Sequence, residues 1–417
     1  MQGRKKWRVI VVGGGAAGMA AGITAARQGA SVTILEHMDR VGKKLLSTGN
    51  GRCNLGNRFL SEGGYRCSQK SFPGNVLNRF GVKEAREFLE SFGIVIKEKN
   101  GYWYPKSEQA AAVVDLFGIE LKRQQIQVIT GYTVQRIHFQ GEENFLVQTD
   151  HGDFSGERVI LAAGSKAAPF TGSDGSGYQL AEDLGHRIFS PLPALVQLRC
   201  QEKFFKQLSG VRCEGKVTLY AGEKKLAEDL GEIQLTDYGI SGIPVFQVSR
   251  FASVALANKK QVKAVLDFLP SMNMEEARQF FLFRRNHFGH VKWGDFLTGI
   301  LPKKLASVIL KETGISFQQN AAKIPPAIYE TLLNHTKAFE VTVTATNAYE
   351  QAQTCCGGVD TREIRPENLE SRLVPGLYLV GELLDVDGIC GGYNLQWAWT
   401  TGCLAGKSAG KVPIALD

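Results

Sequence analysis

The sequence predicts an α/β protein in which a domain with a parallel sheet and an accessory antiparallel sheet is interrupted by an insert. Three observations lead to this prediction. Strand and helix patterns alternate over the first 190 residues, the middle of the chain is first β-rich and then helical, and a buried strand returns near the end. Alternating strands and helices are typical of a parallel core, whereas polar–apolar alternation is typical of an antiparallel sheet or barrel.

The change of pattern also predicts the domain division. We expect residues 1–190 and 341–417 to form the two parts of one domain. The insert between them divides into a β-rich part, residues 191–250, and a helical part, residues 251–340. Insertion of one domain into another at a surface position is a common arrangement for chains of this length.

Composition narrows the class of protein. The chain has 417 residues, 43% of them hydrophobic, and a formal charge of +8. Its eight cysteines include no C-x-x-C pair, so neither a disulfide scaffold nor a zinc ribbon is indicated, and we predict no metal site. The positive charge favours an anionic partner. Because the basic residues are scattered, we expect a small, anionic and hydrophobic substrate and no nucleic acid.

The uncharged run from Val9 to Ala26 resembles a targeting segment but contains five glycines. Glycine weakens a helix, so the run is unsuited to a spanning or signal helix. No other stretch approaches the roughly 20 apolar residues that a bilayer requires. We therefore expect a cytoplasmic protein without membrane insertion.

The stretch "VIVVGGGAAGMAAG", Val9 to Gly22, places a glycine turn between a buried strand and a helix. Gly13, Gly15 and Gly18 form the pattern G-x-G-x-x-G, which supplies a tight turn, close approach of the backbone to a pyrophosphate, and close helix–strand packing. The helix start adds free N–H groups and the positive end of its dipole. The turn predicts a dinucleotide site in a Rossmann-like domain.

An acidic residue supports the same prediction. Glu36 ends the second strand, 18 residues after Gly18. A carboxylate at that place accepts hydrogen bonds from ribose hydroxyls and disfavours a 2′-phosphate, so FAD or NAD fits better than NADP.

A second glycine turn lies near the end of the chain, in "LYLVGELLDVDGICGGYNLQWAWTTG". Gly381 and Glu382 follow a buried strand, and Gly391 and Gly392 precede a helix that we expect from about Asn394. A packing turn would also use glycine. Because FAD is long enough to need one helix start for its phosphates and another for its ring, the two turns together predict non-covalent FAD.

The segment "STGNGRC", Ser47 to Cys53, follows the second strand. Asn50 and Arg52 can present N–H groups and a guanidinium to phosphate or flavin oxygens, although a surface turn is an alternative interpretation. Cys53 has no second cysteine close by, which disfavours a disulfide reductase. No further G-x-G-x-x-G unit occurs in mid-chain, so we expect NAD(P)H to bind only transiently as electron donor.

Together, the segments Val11–Asn57 and Gly376–Gly402 resemble the BaiN-type, or YhiN-type, FAD-dependent oxidoreductases, and the resemblance covers nearly the whole chain. The resemblance implies an FAD domain interrupted by a β-barrel and helical insert. It also implies cofactor-binding roles for Gly13, Gly15, Ala16, Ala17, Gly18, Glu36 and His37 at the ADP half; Lys43, Lys44, Gly49, Asn50, Gly51, Arg52, Cys53 and Asn54 at pyrophosphate and flavin; Val134 at adenine; Ala163 and Gly164 beneath the cofactor; and Gly381, Glu382, Asp387, Gly391, Gly392, Tyr393, Asn394 and Leu395 at ribityl and ring.

The chain departs from the family pattern at two places. Asp237, in "LTDYGISGIP", stands where a histidine is expected, which puts a transferred substrate role there in doubt. Cys355 and Cys356 replace small or polar residues before "GGV". The catalytic acid or base is therefore unknown, and Tyr393, Tyr238 and Cys390 are candidate proton donors that can equally be structural.

The resemblance implies an NAD(P)H-dependent reductase of a carbon–carbon double bond conjugated to a ketone, with hydride transfer through flavin N5 and 3-oxo bile-acid enones as one substrate class. Two alternatives stay open. One is a flavin amine oxidase of small, aminoacetone-type amines that releases peroxide. The other is an RNA-modifying flavoprotein.

Overall fold

The computed structural model describes residues 6–141, 144–323 and 325–411, so the first residues of the basic N-terminal segment lie outside the described part. The chain forms two compact units. Unit 1 consists of residues 1–192 and 353–417, and unit 2 of residues 193–352. The predicted fold class is confirmed by a parallel sheet in unit 1 and a closed barrel with helices in unit 2.

Unit 1 takes most of its elements from the N-terminal half of the chain. These elements are β1 Arg8–Val12, α1 Ala16–Arg27, β2 Ser31–Glu36, α2 Lys43–Ser47, β3 Gly56–Asn57, β4 Tyr65–Cys67, α3 Phe72–Leu77, α4 Val82–Glu90, β5 Ile96–Lys99, β6 Tyr102–Pro105, α5 Ala110–Arg123, β7 Gln127–Thr130, β8 Val134–Phe139, β9 Phe145–Thr149, β10 Gly152–Gly156, β11 Arg158–Leu161, α6 Ser176–Asp183 and β12 Ile188–Ala194, whose last residues enter unit 2.

Unit 2 and the C-terminal part follow. Unit 2 contains β13 Leu198–Cys200, α7 Phe205–Leu208, β14 Val211–Ala221, β15 Lys224–Leu235, β16 Gly239–Ser241, α8 Ile243–Ala257, β17 Val262–Asp267, α9 Met274–Phe288, α10 Trp293–Phe296, α11 Lys303–Glu312, α12 Pro326–Lys337 and β18 Phe339–Thr346. The chain then returns to unit 1 with β19 Thr354–Val359, β20 Leu377–Leu379, β21 Val386–Gly388 and α13 Tyr393–Ala409.

A five-stranded parallel sheet with the order β20-β11-β1-β2-β7 forms the centre of unit 1. Val11 of β1 pairs with Ile34 of β2, and both side chains are fully buried. The continuous apolar runs of these strands reflect burial on both faces of the sheet. Ile160 of β11 pairs with Tyr378 of β20, so the C-terminal part of the chain completes a sheet that the N-terminal part begins.

Helices α1 and α13 pack so closely that their backbones are in contact. A Cβ atom added at Gly402 would lie 2.4 Å from the Ala17 carbonyl oxygen, and one added at Gly406 would lie 2.3 Å from that of Ala21. The same four-residue step repeats at Gly410, where the added atom would again meet the backbone of α1. Glycine is therefore required along this face of α13, because any side chain would separate the two helices.

The register of this contact places the two helix starts in a defined relation. Contacts advance in the same direction on both helices, so the helices are parallel. Gly402 lies nine residues after the first residue of α13, Tyr393, whereas its neighbour Ala17 lies one residue after the first residue of α1, Ala16. At 1.5 Å per residue, the start of α13 projects about 12 Å beyond the start of α1.

Helix α13 is buried along nearly all of its 17 residues. Its Trp399 stacks on Phe117 of α5 with 5.3 Å between ring centroids. A helix that is apolar on all sides belongs to a protein core or to a membrane, and packing within unit 1 accounts for α13. Over residues 6–141, 144–323 and 325–411, no helix is long and apolar enough to cross a membrane.

Unit 2 is a closed six-stranded barrel, with the order β13-β16-β15-β14-β17-β18, accompanied by helices. Strand β18 pairs with both β17 and β13 and so closes the barrel, which places Phe339–Thr346 in unit 2 rather than beyond a boundary at residue 340. Helix α8 lies partly within the segment expected to be β-rich, and strand β17 lies within the segment expected to be helical. Barrel closure requires β17, because β14 has no other neighbour on that side.

We predict that Gly406→Ala destabilises the protein by about 1–3 kcal/mol, because the added methyl group forces α1 and α13 apart. Thermal unfolding monitored by circular dichroism measures the change. The matched control is Gly118→Ala in helix α5, where an added Cβ meets no atom within 4 Å and the helix should gain about 0.5–1 kcal/mol. Equal effects of both substitutions would contradict the backbone contact described here.

Candidate functional site

The first glycine turn has the geometry that its sequence predicts. Gly13 has φ +102°, and an added Cβ would lie 2.6 Å from the Ala162 carbonyl oxygen. A Cβ at Gly18 would lie 1.9 Å from the Gly13 oxygen, so helix, turn and strand are in direct backbone contact. Gly15 precedes the helix and provides no side-chain cap. A Cβ added at Gly15 would meet no atom within 4 Å. The amides at the start of α1, at Ala16, Ala17 and Gly18, therefore have no side-chain cap and suit a phosphate.

Glu36 holds this turn in place. Its Oε2 accepts a hydrogen bond from the Gly14 amide at 2.8 Å, and its Oε1 accepts one from the Met38 amide at 2.8 Å. The carboxylate is buried, and each oxygen retains a further lone pair for a ribose hydroxyl. His37 faces Gly172, with its Nε2 3.2 Å from an added Cβ there. The bond to the turn is a role of Glu36 that sequence reasoning did not identify.

The second glycine turn forms an amide-lined helix start of the same kind. Gly391 and Gly392 have φ values of +113° and +91°, and a Cβ at Gly392 would lie 2.5 Å from the Gly56 carbonyl oxygen. Helix α13 begins without a side-chain cap and without an acidic residue in its first turn. With the Asn54 carboxamide oriented so that its oxygen faces Gly392, which satisfies both its oxygen and its nitrogen, it accepts from the Gly392 amide at 3.3 Å and donates to the Gly56 oxygen at 2.9 Å. Asn54 thus joins the loop Thr48–Asn54, which is predicted to contact the flavin and is called here the flavin loop, to the start of α13.

The side chains at the start of α13 are engaged with the protein itself. Asn394 Oδ1 accepts from the Gly388 amide at 2.8 Å, and its Nδ2 donates to the Gly388 oxygen at 3.1 Å. Tyr393 donates through its hydroxyl to the Phe59 oxygen at 3.5 Å, while the Tyr65 hydroxyl donates to the Tyr393 oxygen at 2.9 Å. These bonds shape the turn. A role of Tyr393 as proton donor stays a prediction.

An ion pair connects three segments that are far apart in sequence. Lys44 Nζ lies 2.5 Å from Glu382 Oε2, and Ser165 Oγ donates to the same oxygen at 3.0 Å. The turn that carries Glu382 is fixed by a bond from the Gly381 amide to Thr401 Oγ1 at 3.0 Å. The two family-implied residues are thus neighbours, whereas Ser165 and Thr401 were not predicted. Serine and threonine after a strand or within a helix carry no sequence signal that could have identified them.

The flavin loop predicted at Thr48–Asn54 adopts an unusual backbone. Gly49, Asn50, Gly51 and Cys53 all have positive φ values, which turns the chain sharply after α2. The side chain of Arg52 is exposed. Burial raises the pKa of the Cys53 thiol to about 11, against the opposing effect of a hydrogen bond to Thr48, so the thiol stays protonated at neutral pH. A thiolate mechanism at Cys53 is not supported.

The remaining predicted residues are distributed along the sheet of unit 1 and in unit 2. Lys43 is paired with Asp39, with 2.6 Å between Nζ and Oδ1, and Asp387 is buried in β21 opposite Arg66. Four residues occupy positions that leave their predicted roles open: Val134 at the start of β8, Ala163 and Gly164 directly after β11, and Leu395 in the first turn of α13.

The two other candidate proton donors belong to different units. Tyr238 lies in unit 2, where its hydroxyl accepts a hydrogen bond from Asn347 Nδ2 at 3.1 Å and the Arg199 guanidinium lies 5.0 Å from its ring centroid. Cys390 is half-buried in the second glycine turn of unit 1. Neither position identifies a catalytic acid, so both remain predictions.

These features fit an extended dinucleotide. The open space at Gly15 suits a pyrophosphate, and the two amide-lined helix starts are staggered by about 12 Å along one direction. A Rossmann-type sheet with this pair of helix starts places the chain among the dinucleotide-dependent oxidoreductases.

Comparison with known proteins identifies the family. The HI0933-like protein Rossmann domain matches residues 7–408, and the chain belongs to this family of FAD-dependent oxidoreductases, as its sequence motifs predicted. The chain is 46% identical to the 3-dehydro-bile acid delta(4,6)-reductase of Clostridium scindens, over 97% of this chain and 100% of the relative.

One further relative and one solved structure are also similar to the chain. The ribosomal RNA dihydrouridine synthase of Haemophilus influenzae is 29% identical over 94% of this chain and 96% of that protein. The crystal structure of the 3-ketosteroid delta1-dehydrogenase from Sterolibacterium denitrificans, in complex with 1,4-androstadiene-3,17-dione, matches with a TM-score of 0.50 and 12% identity, over 97% of this chain and 99% of that one. The last likeness is one of fold alone.

We predict that Glu36→Gln weakens FAD binding by roughly 5- to 150-fold, corresponding to about 1–3 kcal/mol for a buried hydrogen bond that is lost. A carboxamide offers one oxygen and one NH₂ group, so one of the two amides that now donate to Glu36 would face another donor. Fluorescence titration of the apoprotein with FAD measures the change. Glu90→Gln, on the surface of helix α4, is the control, and equal affinities of both variants would refute the assignment.

Proposed function

We propose that the protein is an FAD-dependent reductase that takes electrons from NAD(P)H and saturates a carbon–carbon double bond conjugated to a ketone in an anionic steroid. The structural observation that carries the proposal is the pair of uncapped, staggered helix starts of α1 and α13. The 46% identity with a 3-dehydro-bile acid delta(4,6)-reductase over its whole length supports the reaction and the substrate class.

The two reactions for which the relatives are named have one chemical step in common. A 3-dehydro bile acid with double bonds at positions 4 and 6 has these bonds in conjugation with its 3-oxo group. Formation of dihydrouridine saturates the 5,6 double bond of uracil, which is conjugated to the 4-carbonyl group. In both substrates the carbonyl makes the far carbon of the double bond electrophilic. Reduction of a conjugated double bond is thus supported independently of the substrate's identity.

The residues of the site divide this task. When bound, FAD supplies the capacity to accept and donate a hydride. The amides at the start of α1 would bind the pyrophosphate, and Glu36, which orients that turn through the Gly14 amide, would accept from the ribose. Lys44 holds the Glu382 carboxylate at 2.5 Å, and the pair would help to hold the cofactor, as the family resemblance implies. The uncapped start of α13 would direct its positive dipole end at the cofactor's ring and stabilise negative charge there.

An anionic substrate agrees with the charge of the chain, which is +8. A carboxylated steroid combines an apolar ring system with one negative charge, and a basic protein raises its local concentration. NAD(P)H as the donor and a cytoplasmic location rest on the sequence and remain predictions.

We expect anaerobic NADH or NADPH to bleach the flavin absorbance near neutral pH, and a 3-oxo-Δ4 bile acid then to restore it with formation of the saturated ketone. Rapid-mixing absorbance spectroscopy followed by mass spectrometry of the steroid measures both steps. The saturated 3-oxo bile acid is the control substrate and should leave the flavin bleached. An oxidised flavin after both donors, or peroxide release with small amines in their place, would overturn the proposal.

Ribosomal RNA is a second candidate substrate, because the dihydrouridine synthase of Haemophilus influenzae is 29% identical over nearly its whole length. Unit 2 supports this candidate with twenty lysines and arginines against fifteen aspartates and glutamates between residues 193 and 352. If RNA is the substrate, affinity for a ribosomal RNA fragment should fall steeply between 50 and 200 mM salt. If the RNA fragment shows no electrophoretic mobility shift with the protein at low salt, this candidate is excluded.

A further inference from the structure

An aromatic sheet face lies beside the second glycine turn in unit 1. The small sheet β3-β6-β5 carries Tyr102, which is 38% exposed, and the chain after β3 carries Phe59, which is 69% exposed. Large aromatic side chains are seldom left so exposed without a binding role when they are grouped. No role in holding FAD was assigned to them.

Strand geometry directs two tyrosines to the same side. Tyr102 and Tyr104 are two residues apart in β6 and so share a face, while Trp103 between them is buried on the other face. The Tyr102 ring lies 2.6 Å from a Cβ added at Gly391, and the Tyr104 ring lies 3.8 Å from one added at Gly49. The tyrosines therefore border both loops that are assigned to the flavin end of the cofactor.

Phe59 is anchored to the same turn. Its amide donates to Asn57 Oδ1 at 2.8 Å, and Asn57 Nδ2 donates to the Gly391 oxygen at 3.1 Å. The ring of Phe59 lies against Gly101, 2.5 Å from an added Cβ. Backbone and side-chain bonds thus hold an exposed ring at the edge of the predicted flavin site.

Cations accompany the aromatic rings. Lys99 of β5 pairs with Tyr102 across the strands, and Lys97 pairs with Tyr104, so both lysines share the tyrosine face. Lys97 forms an ion pair with Glu108. Lys99 and Arg52 are exposed and form no ion pair with any residue that the structure describes. Lys99 lies opposite Tyr102, and Arg52 is close enough to Tyr104 to interact with it electrostatically, while both cations also act on the Glu108 carboxylate. Exposed cations beside three aromatic rings are complementary to a ligand with flat rings and phosphate groups.

We infer that the face formed by Phe59, Tyr102, Tyr104 and Lys99, called here the aromatic face, is the docking site of the nicotinamide dinucleotide that donates electrons. The inference rests on the proposed function and identifies a partner of the same site. Flat adenine and nicotinamide rings stack on open aromatic faces, and the phosphates meet Lys99 and Arg52. The fused rings of a steroid are alicyclic rather than aromatic, and such a ligand normally requires an enclosing apolar pocket. The open position also suits a donor that must leave after each turnover.

Binding of a reduced-nicotinamide dinucleotide analogue that cannot donate hydride tests the inference directly. We expect Tyr102→Leu with Tyr104→Leu to weaken its binding, measured by equilibrium dialysis with the FAD-loaded protein, by roughly 5- to 100-fold through loss of stacking. Lys99→Met should weaken it by a few fold and reduce its salt dependence. Phe59→Leu is a second test of the aromatic face, because it removes a ring that is not packed on the second glycine turn.

Phe139→Leu is the matched control, because Phe139 is also 38% exposed in unit 1 but lies at the far end of β8. It should bind the analogue like the wild type, and flavin content and thermal unfolding should be equal in all variants. Unchanged analogue binding in the tyrosine variants would overturn the inference. Weaker binding of a 3-oxo bile acid to the tyrosine variants, measured from the perturbation of the flavin spectrum, together with unaltered binding of the analogue would also overturn the inference.

Failure of the proposed function would give a different result. If the wild type binds the analogue through the tyrosines but does not reduce the steroid, the docking site stands and the substrate assignment falls. A third outcome is that the reduced wild type and all variants saturate the steroid, but neither the wild type nor any variant binds the analogue. The electron donor is then another molecule, and the docking site is refuted.

Discussion

The close contact between helices α1 and α13 is the constraint on which the rest of unit 1 depends. Gly402, Gly406 and Gly410 allow the two backbones to touch, and this register sets the distance between the two helix starts. The start of α1 would remain an ordinary phosphate-binding turn without α13. With the start of α13 about 12 Å further along the same direction, unit 1 has two positive helix ends, which are the ends predicted to hold one extended ligand. Glu36 and the Lys44–Glu382 pair then refine positions that the helix packing has established.

Local patterns in the sequence predicted those elements whose form depends on nearby residues. The G-x-G-x-x-G pattern predicted the turn before α1, and the second strand was predicted to end at Glu36, where β2 ends. The closure of the barrel could not be predicted in this way. Strand β18 pairs with β17 over a separation of 73–81 residues and with β13 over a separation of 143–148 residues. Pairing between segments so far apart leaves no periodic trace in any of them. The boundary between the units was therefore displaced from its expected place.

The same difference between local and distant determinants applies to the site. The glycines could be identified because each one satisfies a backbone requirement of its own turn. The partners of Glu382 are Lys44 and Ser165, which lie 338 and 217 residues away, and only the folded sheet brings them to one carboxylate. Asn394 and Tyr393, for which cofactor contacts stay a prediction, also bond the surrounding loop through their side chains. A residue next to a ligand can thus serve the backbone that binds it.

The position of β20 beside β11 also affects the order in which the protein can be assembled during synthesis. Ile160 and Tyr378 are neighbours in the sheet, but the ribosome makes the whole barrel between them. The barrel can fold while the first part of unit 1 still lacks an edge strand and its closest helix, because domains fold as units as they emerge. Both helix starts are present only after α13 has emerged, so we expect FAD to load after the barrel has been made. A nascent chain that stalls before α13 would leave the face of α1 that α13 covers exposed.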